Sequence, residues 1–130
     1  MRLIVDVDGT LTQSDEDRGY PEKLPRKDVI GRVNGLRQRG AYVLLYTARN
    51  MRTYSGDLEK IHLHTLPVLV DWLRHYDVEY DELHLGKPWC GPDGCYVSRN
   101  SIRPDDFSAL SLDELEQLLT DVAIGNLEIE

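Results

Sequence analysis

Cysteine, basic residues and long apolar runs are all scarce in this chain of 130 residues. The two cysteines, Cys90 and Cys95, share one stretch rich in Gly and Pro, which is neither a disulfide framework nor the paired spacing of a structural zinc site. They read as reduced thiols, and the protein as cytoplasmic. Lys and Arg number 15 against 23 Asp and Glu, for a formal net charge of -8, so attraction to nucleic acid or to an anionic membrane surface is disfavoured. No apolar stretch approaches a membrane span. The segment after Met1 lacks the charged start, apolar middle and small-residue cleavage site of a signal peptide. Internal repeats and low-complexity tracts are absent from the sequence. What is present is ordinary for a globular protein: 41% hydrophobic and 29% charged residues, enough for one core, so residues 1–130 are expected to form a single domain.

Apolar runs alternate with helical periodicity along the chain. Leu3 to Val7 is a short branched run ending near Asp6, the pattern of a strand buried on both faces of a parallel sheet. From Thr10 to Pro25 the sequence turns polar, with Asp15, Glu16 and Asp17 at its centre, and reads as a mobile, solvated loop. Val29, Val33 and Leu36 recur at spacings of four and three ahead of Gly40, predicting a helix and its stop. Ala41 to Tyr46 reads as a second strand. Asn50 to His64 has no clear period. Leu66, Leu69, Leu73 and Tyr76 then trace a helical face behind a Thr65 cap, with Pro67 in the first turn. Leu83 to Leu85 and Cys95 to Val97 are candidate third and fourth strands, and Ser111 with Glu114 forms a capping box ahead of Leu112, Leu115, Leu118 and Leu119. The alternation predicts an α/β fold with a mostly parallel central sheet and helices on both faces. Ligands of such folds gather beyond the carboxyl ends of the strands.

Two carboxylates stand at the first of those ends. Asp6 and Asp8 are two residues apart where the strand runs into Gly9 and Thr10, a spacing that aims both into one pocket once the chain turns. A carboxylate can attack phosphorus while a neighbouring acid protonates the leaving oxygen, and Mg2+ offsets the repulsion between anionic nucleophile and phosphate. Asp6 is then the nucleophile and Asp8 the proton shuttle. The plainer alternative is a pair of Asp residues capping a turn.

Asp-Val-Asp-Gly-Thr-Leu-Thr after an apolar strand resembles the first motif of the haloacid dehalogenase (HAD) superfamily. The stretches RNMRTYSGDLEKIHLHTLPVLVDWL, YDELHLGKPWCGPDGCYV and IRPDDF are similar to a small group of bacterial HAD proteins associated with capsule polysaccharide biosynthesis. The resemblance implies a Rossmann-like domain without a large cap, Mg2+, and hydrolysis of a phosphate ester through an aspartyl-phosphate. It also implies the roles: Asp6 nucleophile, Asp8 acid and base, Thr47 a hydroxyl on a phosphate oxygen, and Lys87 the base that neutralises nucleophile and phosphate. The fourth motif departs from the group. Where relatives carry a carboxylate pair, this chain has Ser98 and Arg99, followed by Asn100. Mg2+ is therefore expected to bind weakly, held by Asp6, Asp8 and Asn100, or with Asp93, Asp105 or Asp106 as a surrogate.

Gly9, Thr10, Arg49, Asn50 and Arg52 are the candidates for substrate contact; Arg49 and Arg52 directly follow Thr47, and Arg99 and Arg103 follow the fourth strand. His62 and His64 lack a third ligand of matching spacing and read as a partly buried pair. Trp72 reads as core, Trp89 as a wall of the substrate pocket or a subunit contact. With no room for a large cap, a neighbouring subunit is expected to exclude water, which makes the protein a homo-oligomer. The expected function is a phosphatase for a small phosphorylated metabolite, a sugar or polyol phosphate of surface-polysaccharide synthesis. The alternative is a catalytically impaired relative that binds a phosphorylated ligand or a biosynthetic partner without turnover.

Overall fold

The computed structural model describes residues 1–14 and 17–129, with the backbone alone for 122–129. Strand β1 (Arg2–Asp6) sends Leu3 and Val5 into the core and turns Arg2 and Ile4 the other way, the two-residue alternation of a pleated strand. It pairs in parallel with β2 (Tyr42–Thr47), which pairs in parallel with β3 (Glu82–Leu85), for a sheet order β1-β2-β3. Parallel neighbours need crossovers. Helix α1 (Lys27–Gln38) supplies the first; α2 (Leu58–His64) and α3 (Leu66–His75) supply the second. Two further helices, α4 (Pro104–Ala109) and α5 (Leu112–Ile129), follow the sheet. This is the expected parallel α/β architecture, and neither crossover contains a cap domain.

The core forms where the apolar stripes meet. Val29, Val33 and Leu36 of α1, Leu69, Trp72 and Leu73 of α3, Phe107 and Leu115 join Leu3, Val5, Val43 and Leu45 in one buried cluster. Each fully buried aliphatic side chain of this kind stabilises by roughly 1.5–3 kcal/mol. Gly35 lets α5 approach α1, since a Cβ there would lie 2.8 Å from Leu112 Cδ1. The expected capping box is present in both directions: Ser111 N donates to Glu114 Oε1 at 3.3 Å and Glu114 N donates to Ser111 Oγ at 3.1 Å.

Several local expectations need correcting. β1 is not buried on both faces: Ile4 is 65% exposed, and its face carries cross-strand pairs instead, with Arg2 over the Tyr42 ring, Tyr42 Oη donating to Glu82, and Tyr46 edge-on to His84. Residues 95–97 do not form a fourth strand. Gly91, at φ 74°, turns the chain, and the Tyr96 hydroxyl bonds the Pro88 carbonyl, so the segment folds back on itself and Val97 is 94% exposed. The aperiodic stretch before His64 contains α2, started by the Asp57 side chain accepting from Lys60 N; His62 and His64 lie exposed in its last turn. Thr65 does not cap α3 with its side chain, because its hydroxyl accepts from Asn50 Nδ2 at 2.5 Å.

The segment from Thr10 to Pro25 is pinned at both ends. Leu11 and Thr12 are buried, Gln13 N donates to Leu24 O, and Arg26 N donates to Leu11 O. Leu11 is a core residue in a polar context, which is why polarity alone misreads the segment. Asp15 and Glu16, at the centre of the acidic run, lie outside the described residues.

Candidate active site

At the end of β1 the chain reverses around one carbonyl. The amides of Thr10, Leu11 and Thr12 all donate to Val7 O, and Gly9 takes φ 79°, a left-handed conformation that costs a glycine little. Asp6 and Asp8 flank the start of this turn and line the same cleft, of about 450 Å³, with Tyr20, Arg49, Arg52 and Trp89. Each carboxylate has its own cation. Lys87 Nζ lies 3.4 Å from Asp6 Oδ1, and Arg49 Nε donates to both Asp8 oxygens, at 3.1 and 2.9 Å.

The two cations arrive by different routes. Lys87 follows β3 after Gly86, at φ 85°, and its amide donates to Thr47 O at 3.0 Å, extending the β2–β3 ladder by one bond. Arg49 follows β2, where its amide donates to Thr47 Oγ1 at 3.1 Å and sets the direction of the side chain. Thr47 is fully buried, and its hydroxyl donates to Asp8 Oδ2 at 3.4 Å. It therefore holds Asp8 and Arg49 in register and does not line the cleft.

Aromatic rings lie against three of the basic side chains at the site: Tyr20 4.4 Å from Arg49, Trp89 5.5 Å from Arg52, and Tyr96 4.0 Å from Lys87; Lys23 also lines the cleft. Burial pushes the Asp6 carboxyl above its ordinary range; Lys87 pulls it back through charge and hydrogen bonding, and the Asp8 charge adds to the rise. Burial likewise raises the Tyr20 phenol, with the Asp8 charge adding to it.

Of the candidates from sequence, Asp6, Asp8, Arg49, Asn50 and Arg52 line one cleft, and Lys87 reaches it through Asp6. Thr10 and Lys87 line an adjoining hollow of about 530 Å³ beside β1, which shares Asp6 with the cleft. Gly9 serves the turn. Ser98, Arg99 and Asn100 are exposed and line neither space, so the positive charge nearest the carboxylates comes from Arg49 and Lys87 rather than from Arg99. Asp105 is bound to Arg26 at 2.8 Å, and Asp93 and Asp106 are exposed. Sequence reasoning missed Tyr20 and Tyr96; the available signal was an aromatic ring set in a polar, Gly- and Pro-rich context.

Two carboxylates on one cleft are the donors a hard cation takes, and Mg2+ commonly uses only one or two of them, so Asp6 and Asp8 fit this ion. Among the described residues no group of three or more His, Cys, Asp or Glu side chains comes together to reinforce the pair.

No protein-family model and no curated protein matches the chain. A crystal structure of a structural-genomics target from Vibrio cholerae is similar at 47% identity and a TM-score of 0.83, over 92% of this chain and 97% of that one. The chain belongs to the family of that Vibrio protein. The relationship brings no activity with it. A second crystal structure, D,D-heptose 1.7-bisphosphate phosphatase from B. bronchiseptica complexed with magnesium and phosphate, aligns at 20% identity and a TM-score of 0.45, over 72% of this chain and 53% of that one. A likeness of that size transfers no residue role.

Proposed function

We propose that the protein is a phosphohydrolase of the haloacid dehalogenase type, acting on a small phosphorylated metabolite such as a sugar or polyol phosphate of surface-polysaccharide synthesis. The observation that carries this reading is the pairing of Asp6 with Lys87 and of Asp8 with Arg49 around one cleft. Asp6 Oδ attacks phosphorus, the bond from phosphorus to the ester oxygen breaks, and Asp8 gives that oxygen a proton. Water, deprotonated by Asp8, then cleaves the aspartyl-phosphate and restores Asp6. Lys87 offsets the charge that accumulates between Asp6 and the phosphoryl oxygens. Mg2+, held by Asp6 and Asp8, would supply further charge compensation when bound.

The test is phosphate release from a panel of sugar phosphates, with and without Mg2+, by the wild type and Asp6→Asn. Turnover that needs both Asp6 and Mg2+ supports the reading; turnover by Asp6→Asn removes it. The reading as a binder without turnover is favoured by one observation, that no third carboxylate joins Asp6 and Asp8 among the described residues. It predicts phosphate-analogue binding with no release.

A cytoplasmic location is part of the proposal. Cys90 and Cys95 are exposed and free, which suits a reducing compartment, and among the described residues no helix is long and apolar enough to cross a membrane. A homo-oligomer is also part of it: among the described residues no cap domain covers the cleft, and Trp89 and Tyr96, which line it, are exposed apolar surface for a second copy. Light scattering at assay concentration checks this, with a fully active monomer as the contrary result.

A further inference from the structure

Arg49 has more donors than its known partners use. Its side chain is buried, its Nε is spent on Asp8, and Nη1 and Nη2 have no hydrogen-bond partner among the described residues. The Tyr20 ring against the guanidinium contributes a cation–π contact but accepts neither of these in-plane N–H groups. A buried guanidinium with four of its five N–H donors unmet is costly to maintain, and a bidentate anion is the ligand that fits it.

The direction of Arg49 says which anion. Its bonds go to Asp8 and not to Asp6. Under the mechanism proposed above, Asp6 with Lys87 faces the transferred phosphoryl group, whereas Asp8 faces the leaving oxygen. Arg49 therefore stands on the leaving-group side. Arg52 lines the same cleft, makes no ion pair among the described residues, and lies over the Trp89 ring. Since Lys87 and Arg49 already match the two carboxylates, Arg52 adds positive charge to a cleft in a protein whose net charge is -8.

We infer that the leaving group of the substrate carries an anion of its own, a carboxylate or a second phosphate, received by Arg49 and Arg52 beside the Trp89 ring. This deepens the phosphohydrolase reading and rests on it for the assignment of sides. A neutral sugar phosphate leaves the Arg49 fork unmet, so discrimination comes from the substrate's second charge.

The experiment separates the two ideas. In Asp6→Asn, calorimetry with Mg2+ present compares glucose 6-phosphate, whose leaving group is neutral, with 6-phosphogluconate and glucose 1,6-bisphosphate, which add a carboxylate and a phosphate. At least one of the last two should bind about tenfold or more tightly than the first, and which one identifies the anion. Placed in this background, Arg49→Lys, which lacks the bidentate fork, and the exposed Arg52→Gln should each reduce that ratio severalfold. Equal binding of all three compounds, no binding of any, or a ratio unchanged in both variants overturns the inference. Phosphate release by the wild type from the same compounds tests the hydrolase reading separately: selective binding without turnover removes the hydrolase and leaves the anion site.

Discussion

Arg49 grips Asp8 through Nε alone, at 3.1 and 2.9 Å from the two carboxylate oxygens, and leaves both outer nitrogens of its fork unpartnered among the described residues. A guanidinium that served stability alone would be expected to fill its fork from the protein. Replacing a buried charge, only one of whose donors is satisfied, with an apolar side chain of similar length removes a desolvation cost together with the ion pair. Arg49→Met should therefore change unfolding free energy by no more than about 1 kcal/mol, Asp8 being partly open to solvent, while phosphate release falls on the order of a hundredfold. Urea unfolding and phosphate release, measured on one preparation, read the two effects apart. A stability loss as large as the activity loss would make Arg49 a structural residue.

Asp6 gives a prediction whose sign can be fixed. Its carboxyl is raised in the folded protein, so between the unfolded and folded pKa values the native state binds more protons than the unfolded state. This group's contribution to stability is thus fully present below the unfolded value of 3.8 and is lost as pH rises through the folded value. Asp6→Asn, which keeps the site neutral at every pH, should melt higher than the wild type at pH 7, with the advantage shrinking toward pH 3. Paired melting curves at the two pH values test it, and a variant that melts lower at pH 7 contradicts it.

Ser111 isolates fold from function. It accepts from Glu114 N and its own amide donates back to the Glu114 side chain, closing the start of α5 far along the chain from the carboxylate pair. Ser111→Ala should cost about 1 kcal/mol of unfolding free energy and leave phosphate release at the wild-type level. Chemical denaturation measures the first, and the standard assay the second.

How far the sequence carried can be seen in α1 and in Arg49. Val29, Val33 and Leu36 declare a helix because burial repeats with helical period, and all three are in the core. Asp6 and Asp8 were legible because they open a longer stretch, Asp-Val-Asp-Gly-Thr-Leu-Thr after an apolar strand, where a lone Asp-x-Asp-Gly would read as a turn cap. The neighbours Tyr20 and Tyr96 were not, since they reach the cations from segments without periodicity, and only the folded backbone brings them within 4.4 and 4.0 Å. The expected fourth strand failed for a related reason. An apolar triplet such as Cys95–Val97 fits a strand locally, but the Gly91 turn and the Tyr96 to Pro88 hydrogen bond send it elsewhere, and local pattern carries no information about such contacts.

That displaced segment decides the last prediction, which concerns Mg2+. With Asp6 and Asp8 as its carboxylates, and Asp8 already held by Arg49, the ion gains little from the protein and should be removed readily by chelation, with activity restored only when Mg2+ is added back in excess. Asp8→Asn should weaken it further, read as a higher Kd in direct Mg2+ titration by calorimetry, since the variant also lacks the acid and base that turnover needs. Ser98 and Arg99, where the resemblance calls for carboxylates, are exposed and line neither the cleft nor the hollow beside β1. Carboxylates restored there, as Ser98→Asp with Arg99→Asp, stand on exposed residues outside both spaces, where solvent screens their attraction for the ion. The double variant should therefore tighten Mg2+ by less than about threefold, the scale of a screened surface interaction. A tenfold or greater gain in the Mg2+ titration would mean that residues 95–99 leave their folded-back course and bring the new carboxylates to Asp6.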